Sequence, residues 1–139
     1  MIILDTNVLS ALMQSAPERS VVDWLDRQPF ESIWTTAITV FEIRFGFDLL
    51  PRGRRLSSLE SSYGRLFAEK LENRVLELDT AAAEAAAKLA AARTRRGMHV
   101  EMRDTLIAGI VLSRRATLAT RNVRHFADLN AIVVNPWTA

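Results

Sequence analysis

Five short, largely apolar runs, separated by longer segments with helical patterns, constrain the fold of this 139-residue chain more than any other feature. Runs of this kind are typical of strands that are covered on both faces. The predicted strands are 2–4, 33–36, 75–78, 117–120 and 131–134. Strands that alternate with helices favour a parallel sheet with helices on both sides.

Helices are predicted in the intervening segments. Their expected ranges are from about residue 8 onward, 18–28, 37–50, 54–72, 80–96 and 103–113. The alanine cluster at 81–92 predicts close helix packing rather than low complexity. Because the chain has no repeat and no long linker, we expect residues 1–139 to form a single α/β domain around a five-stranded parallel sheet.

Composition excludes several classes of protein. The chain has no cysteine, which excludes a disulfide scaffold, a cysteine-ligated metal site and thiol catalysis. No apolar run approaches the roughly 20 residues of a membrane span, and the N-terminus lacks the basic region of a signal peptide. We therefore expect a soluble, cytoplasmic protein that makes no membrane contact.

Charge is distributed unevenly along the chain. Residues 1–50 hold 3 basic and 7 acidic side chains, whereas residues 51–139 hold 15 basic and 9 acidic ones. Sixteen of the 18 basic residues are arginine, which contacts phosphate through two hydrogen bonds and stacks on bases. The dense groups are 52–55, 93–96 and 114–124. This distribution suits a nucleic-acid partner, and equally a solvated helix face in the product of a GC-rich genome.

Two polar residues follow predicted strands directly. Asp5 comes after the first strand and Asn122 after the fourth. Ligands of open α/β sheets bind beyond the carboxyl ends of the strands, so both residues are candidates for a site. Asp5 also suits a helix N-cap, and Asn122 suits a turn, and these structural roles remain open.

Two further acids lie on predicted helices. Glu42 projects from an apolar stripe of helix 37–50, beside Ile38 and Phe45, and Asp104 occupies the first turn of an apolar helix face. A buried carboxylate needs a proton, a cation or a metal. An ion pair with an arginine such as Arg44 would satisfy Glu42, and an N-cap role would satisfy Asp104.

The three acids and the amide are predicted to meet at one edge of the sheet. Clustered carboxylates repel one another, so they are stable only around cations or with shifted pKa values. Oxygen ligands without cysteine or paired histidine select Mg²⁺ or Mn²⁺. An acidic metal pocket flanked by arginine suits phosphodiester hydrolysis, in which the metal activates water and neutralises charge.

Other chemistries fit the sequence less well. A histidine-pair ribonuclease would need His99 and His125 in one site, and a phosphate-transfer enzyme with Asp5 as nucleophile lacks the usual second aspartate. No glycine-rich phosphate-binding motif is present. A binding module that holds RNA or a protein without cleavage remains the alternative.

Four segments in order resemble those of PIN-domain proteins, close to the VapC-like toxins and their FitB-like branch. They are 3–9 (ILDTNVL), 39–46 (TVFEIRFG), 104–108 (DTLIA) and 118–126 (LATRNVRHF), followed by 135–137 (NPW). The resemblance covers the whole chain and implies a metal-dependent endoribonuclease with an α/β/α fold.

The resemblance also assigns roles to the candidate residues. Asp5 and Asp104 match the metal-holding aspartates of the family, and Glu42 matches its third acid. Asn122 stands where many members carry a fourth acid and many others an asparagine. Because an amide brings no charge, a second metal position is in doubt.

A protein partner is expected on two grounds. The resemblance implies a homodimer and a complex with a small VapB-like antitoxin, whose C-terminal segment covers the active site and which alone contacts operator DNA. Independently, helix 37–50 is apolar nearly all round, so part of it is expected to face another chain. A central position in a crowded fold would give the same pattern.

Overall fold

The computed structural model describes residues 1–139, which contain one five-stranded parallel sheet. The strands are β1 (Ile2–Leu4), β2 (Ile33–Thr36), β3 (Val75–Leu76), β4 (Thr117–Ala119) and β5 (Val133–Val134). Their spatial order is β3-β2-β1-β4-β5, and every neighbouring pair is parallel. The predicted sheet is confirmed, although β3 and β5 are shorter than expected.

Six α-helices surround the sheet. They are α1 (Thr6–Leu12), α2 (Arg19–Asp26), α3 (Ala37–Leu49), α4 (Arg54–Arg65), α5 (Thr80–Arg95) and α6 (Met102–Arg114). The helix predicted over 54–72 is divided, because α4 gives way to a π-helical turn at Leu66–Lys70. The 3₁₀ turns at Phe30–Ser32 and Val123–Phe126 were not predicted. No helix is both long enough and apolar enough to cross a bilayer.

The sheet separates two apolar layers. Leu4 faces a cluster formed with α1 to α4, whereas its neighbour Ile3 faces a cluster formed with α5 and α6. Successive strand residues point to opposite faces, so a run that is apolar at every position is required to fill both layers. This is the α/β/α arrangement that the sequence predicted.

Strand order creates a crevice at the carboxyl edge. The chain leaves β1 to form β2 and β3 on one side, and later places β4 and β5 on the other. Ligands of open α/β sheets bind where the order reverses in this way. The backbone N–H of Asp5 donates to the carbonyl of Ala119 at 2.9 Å, so the ends of β1 and β4 meet there.

Helices α5 and α6 pack unusually closely. A Cβ atom at Gly109 of α6 would lie 2.5 Å from the carbonyl oxygen of Ala82 and 2.6 Å from the Cβ of Ala86, both on α5. Small residues on both helices permit this approach. The alanine cluster therefore serves close packing, as its composition predicted.

Replacing this glycine should destabilise the fold. Gly109→Ala should lower the free energy of unfolding by about 1–3 kcal/mol, because the added methyl forces α5 and α6 apart. The matched control is Gly64→Ala on α4, where nothing lies within 4 Å of the new Cβ. It should raise stability by about 0.5–1 kcal/mol through helix propensity. Urea unfolding of both variants measures this, and an unchanged Gly109→Ala midpoint would contradict the close packing.

Candidate active site

Asp5 lies at the base of the crevice and is only 3% exposed. Its Oδ1 accepts the N–H of Thr6 at 2.8 Å, which caps α1. Its Oδ2 accepts the hydroxyl of Thr120 at 2.7 Å and the side-chain amide of Asn7 at 3.3 Å. The N-cap role left open by the sequence is therefore real, and it occupies only one of the two carboxylate oxygens.

Burial raises the pKa of the Asp5 carboxyl above its ordinary value. The hydrogen bonds from Thr120 and Thr6 oppose this rise, while the charge of Asp104 adds to it. Neutral donors thus compensate part of the lost hydration of the carboxylate, and no cation is bonded to it. Burial therefore disfavours the charged form of Asp5, and the hydrogen bonds offset only part of this penalty.

Glu42 lies across the crevice on α3. Its Oε1 accepts the hydroxyl of Thr6 at 2.9 Å, and Arg103 Nη1 lies 3.8 Å from its Oε2. Burial raises the pKa of Glu42, and the charges of Asp5 and Asp104 raise it further against the opposing effects of Thr6 and Arg103. The ion-pair alternative is therefore realised as a long contact with a half-exposed arginine.

The surroundings of Glu42 differ from the expected buried stripe, and its arginine partner, which the sequence left open, is not Arg44. Arg44 lies over the ring of Tyr63, 4.6 Å from its centroid, rather than beside Glu42. The stripe through Phe45 is exposed, whereas the buried face of α3 consists of Thr39, Ile43 and Phe47. Glu42 lies at the boundary between the two faces, which explains its half-buried state.

Asp104 does not cap its helix. Glu101 is the N-cap residue of α6, since its carboxylate accepts the N–H of Arg103 at 3.1 Å. Asp104 follows one turn later, and its Oδ2 lies 3.1 Å from Nδ1 of His125. The carboxylate is therefore available to the crevice, with an exposed imidazole as its partner.

Asn122 reaches the site through its backbone. Its N–H donates to the hydroxyl of Thr120 at 3.1 Å, while its side chain is exposed and makes no hydrogen bond. It begins the turn Val123–Phe126, so the turn role is realised. The hydroxyl of Thr120, rather than the side chain of Asn122, hydrogen-bonds to Asp5.

Sequence reasoning missed Thr120, Asn7 and His125 as parts of the site. Asn7 links the two strand ends, because its Oδ1 accepts the N–H of Arg121 at 3.1 Å while its amide donates to Asp5. The available signal was position, since Thr120 lies one residue beyond the end of β4 and Asn7 lies three residues beyond the end of β1. A threonine in a strand has no distinguishing pattern.

A buried ion pair supports the outer wall of the crevice. Arg93 of α5 is 3% exposed and makes two 2.9 Å hydrogen bonds to the carboxylate of Asp128. It also donates to the hydroxyl of Thr105 at 3.2 Å and to the carbonyl of His125 at 2.9 Å. The segments that carry Asp104 and His125 are thereby joined to one guanidinium.

The arginines near the crevice differ in exposure. Arg93 is buried and pairs with Asp128, so it is not free to contact a nucleic acid, whereas Arg96 pairs with the same carboxylate from an exposed position. Arg103, Arg121 and Arg124 are exposed on segments that flank the acidic crevice. The exposed arginines suit phosphate contacts beside the site.

The donor chemistry of the crevice fits a hard divalent cation. With the side chains in the conformations of this structure, no three acidic or imidazole groups are close enough to share one metal ion. Asp104 contacts His125 and Glu42 contacts Arg103, and the side chains of these two partners are 59% and 45% exposed, respectively. Asp5, Glu42 and Asp104 together form an oxygen donor set suited to Mg²⁺ or Mn²⁺. Burial raises the pKa of Asp5 and of Glu42, and the charge of Asp104 adds to both shifts.

Comparisons with known proteins agree on one family. The PIN domain family matches residues 2–131. The chain is 39% identical to plasmid stability protein StbB of Pseudomonas syringae pv. tomato over the full length of both. It is 34% identical to VapC ribonuclease Y4jK of Sinorhizobium fredii, covering 99% of this chain and 98% of the relative. It is 32% identical to toxin FitB of Neisseria gonorrhoeae, covering 99% of each.

A solved structure described as FitAB bound to an IR36 DNA fragment has the same fold. The TM-score is 0.87 at 32% identity, over 99% of this chain and 96% of that one. The likeness therefore extends over the whole domain.

Cation binding should stabilise the fold in a pH-dependent manner. The raised pKa values of Asp5 and Glu42 mean that protonation favours the metal-free fold. This stabilisation is complete below the ordinary carboxyl pKa and is lost as pH rises through the raised values. Because a metal requires deprotonated ligands, the Tm increase caused by Mn²⁺ should be larger at pH 8 than at pH 5.5.

Thermal unfolding with Mn²⁺ or EDTA at both pH values measures this increase. Asp104→Asn should abolish it, whereas Asp48→Asn, an exposed acid on α3, should retain it. An increase that is equal at both pH values would contradict the deprotonation argument.

Proposed function

This chain belongs to the PIN-domain family, and on that premise we propose that it is a divalent-metal-dependent endoribonuclease that acts as the toxin of a toxin–antitoxin pair. The observation that carries the proposal is the buried Asp5 carboxylate, whose raised pKa reflects burial and the nearby acid Asp104. The names of the relatives support it, since one is a VapC ribonuclease and another a toxin.

Asp5, Glu42 and Asp104 would hold Mg²⁺ or Mn²⁺. When bound, the cation would lower the pKa of the attacking water and neutralise charge on the phosphodiester. We expect products with 5′-phosphate and 3′-hydroxyl ends, by analogy with other metal-dependent phosphodiesterases.

The other residues of the crevice position these acids. Thr120 and the N–H of Thr6 fix the orientation of Asp5, and the hydroxyl of Thr6 fixes that of Glu42. Arg103, Arg121 and Arg124 provide exposed positive charge at the rim, where they attract the phosphates that flank the cleaved bond. The arrangement thus provides an acidic centre within a cationic rim.

The activity is tested by RNA cleavage. With Mn²⁺, the purified chain should cleave single-stranded RNA, and EDTA should abolish the cleavage. Asp5→Asn and Asp104→Asn should each reduce the rate at least about 100-fold, since removal of even a supporting residue of a metal site costs 10–100-fold. Asp48→Asn is the control and should cleave normally. Binding of RNA without cleavage would support the alternative of a non-catalytic binding module.

An exposed apolar stripe on α3 suits a protein partner. Phe41, Phe45 and Leu49 follow one another at helical spacing, and the rings of Phe41 and Phe45 stack with centroids 5.9 Å apart. We propose that this stripe is covered by a second chain, either the antitoxin or another copy of the toxin. The FitAB assembly supports this proposal, and contact with operator DNA is proposed to occur only through the antitoxin.

Polar substitutions in the stripe should weaken assembly without unfolding the chain. Leu49 is 70% exposed, so Leu49→Ser combined with Phe45→Ser should lower the assembly mass measured by light scattering while Tm changes little. Ile132→Ser is a matched control, because Ile132 is 68% exposed at the opposite edge of the sheet. Assembly that is unaffected by the double substitution would contradict a role for the stripe.

A further inference from the structure

A cavity opens beside Asp104, and Asp5 is not among the residues that line it. Its volume is about 360 Å³, and it is lined by Met98, His99, Glu101, Asp104, Arg124 and His125, with Arg93 behind them. We refer to this space as the side cavity. Pockets for small organic ligands begin at roughly 300 Å³, so the side cavity suits a group of the size of a nucleobase.

The lining of the side cavity suits a flat, polar ring. Arg124, His99 and His125 each present a planar, nitrogen-rich group, and Met98 contributes a thioether that is 44% exposed. Unstacked bases of single-stranded RNA bind by stacking on aromatic and guanidinium planes. An aliphatic ligand would neither stack on these planar groups nor form hydrogen bonds with them.

Hydrogen bonds within the protein hold the walls of the side cavity in place before any ligand binds. The buried Arg93 joins Thr105 on α6 to the carbonyl of His125, so both walls are held by one side chain. The loop between α5 and α6 is anchored as well, because the N–H of Met98 donates to the carbonyl of Arg93 at 2.9 Å. A preformed cavity reduces the entropy lost when a ligand binds.

Glu101 provides a basis for selection among bases. Its Oε1 accepts the N–H of Arg103, whereas its Oε2 has no hydrogen-bond partner. This oxygen can accept a hydrogen bond from a donor of a bound ligand. Adenine, cytosine and guanine carry an exocyclic amino group that can donate to it. Uracil carries no such group, and its one ring donor, N3–H, lies between two carbonyl oxygens that a carboxylate repels.

We propose that the side cavity binds one unstacked base of the RNA, from a nucleotide next to the cleaved phosphate, and that Glu101 favours bases with an exocyclic amino group over uracil. The proposal rests on the ribonuclease function proposed above, because Asp104 lies in the wall shared by the cavity and the candidate metal site. The choice of cleavage site in the RNA would then depend on base recognition by the side cavity as well as on the shape of the RNA.

The binding test uses the Met98 methyl group as a probe and requires no catalysis. The metal-free protein is labelled with ¹³C at its methionine methyl groups, Met98→Leu assigns the signal, and GMP, AMP, CMP and UMP are titrated separately. Ring currents should shift the Met98 signal with GMP, AMP and CMP, and UMP should bind about tenfold more weakly, as expected for the loss of a hydrogen bond to a charged group. Ribose 5-phosphate should leave the signal unchanged.

Glu101→Gln tests the selection step. The glutamine oxygen can still cap α6, while its amide presents a donor in place of Oε2, so the preference over UMP should disappear or reverse. Glu84→Gln, at an exposed position on α5, should preserve the preference. The proposal is overturned if ribose 5-phosphate shifts Met98 as GMP does, if no nucleotide shifts it, or if the preference survives Glu101→Gln.

The two experiments give different results when the base-binding proposal is wrong and when the ribonuclease proposal is wrong. RNA cleaved in Mn²⁺ by a protein whose Met98 signal ignores all four nucleotides would overturn the base-binding proposal alone. A selective Met98 response in a protein that never cleaves RNA would support base binding and overturn the ribonuclease proposal.

Discussion

The buried carboxylate of Asp5 is the constraint on which the rest of the site depends. A carboxylate removed from water needs several hydrogen bonds or a cation, and here neutral donors from Thr6, Asn7 and Thr120 supply only the former. Its pKa remains raised despite these donors. The fold therefore maintains a local electrostatic cost at the carboxyl edge of β1, and a divalent cation would remove that cost and the repulsion from Asp104 together.

A layer of threonine hydroxyls separates this acidic crevice from the apolar core. The buried threonines are Thr35, Thr36, Thr39, Thr105 and Thr120. Their hydroxyls are all hydrogen-bonded, and no buried side-chain polar atom lacks a partner. Two of these threonines, Thr35 and Thr36, lie in β2, where β-branched side chains are favoured, and the hydroxyl of every one of the five can both donate and accept. The polar residues of this layer therefore approach the site without an unsatisfied polar group.

The sequence was sufficient for the elements and for the placement of Asp5, Glu42 and Asp104 around one crevice, but not for the contacts that orient them. Strand ends are marked by a change from apolar to polar residues, so Asp5 was found by position. The surroundings of Glu42 were misjudged because α3 has two apolar faces, and periodicity cannot show which one is buried. The bond between Thr120 and Asp5 joins residues 115 positions apart, and no local pattern reports a pairing that the strand order creates.

On the proposed function, the distribution of charge around the crevice would give the cation a second role, beyond compensating the charge of the three carboxylates. Without it, three carboxylates repel the phosphodiester that they are proposed to cleave, while Arg103, Arg121 and Arg124 attract the flanking phosphates. On the proposed function, RNA would then be held at the rim and excluded from the centre. A divalent cation would reverse the sign of the centre, so that the carboxylates that oppose entry would instead hold a cation that binds one phosphate. Hydrolysis would thus depend on the neutralisation of Asp5, Glu42 and Asp104, and a basic side chain from an antitoxin would neutralise the same acids without permitting cleavage.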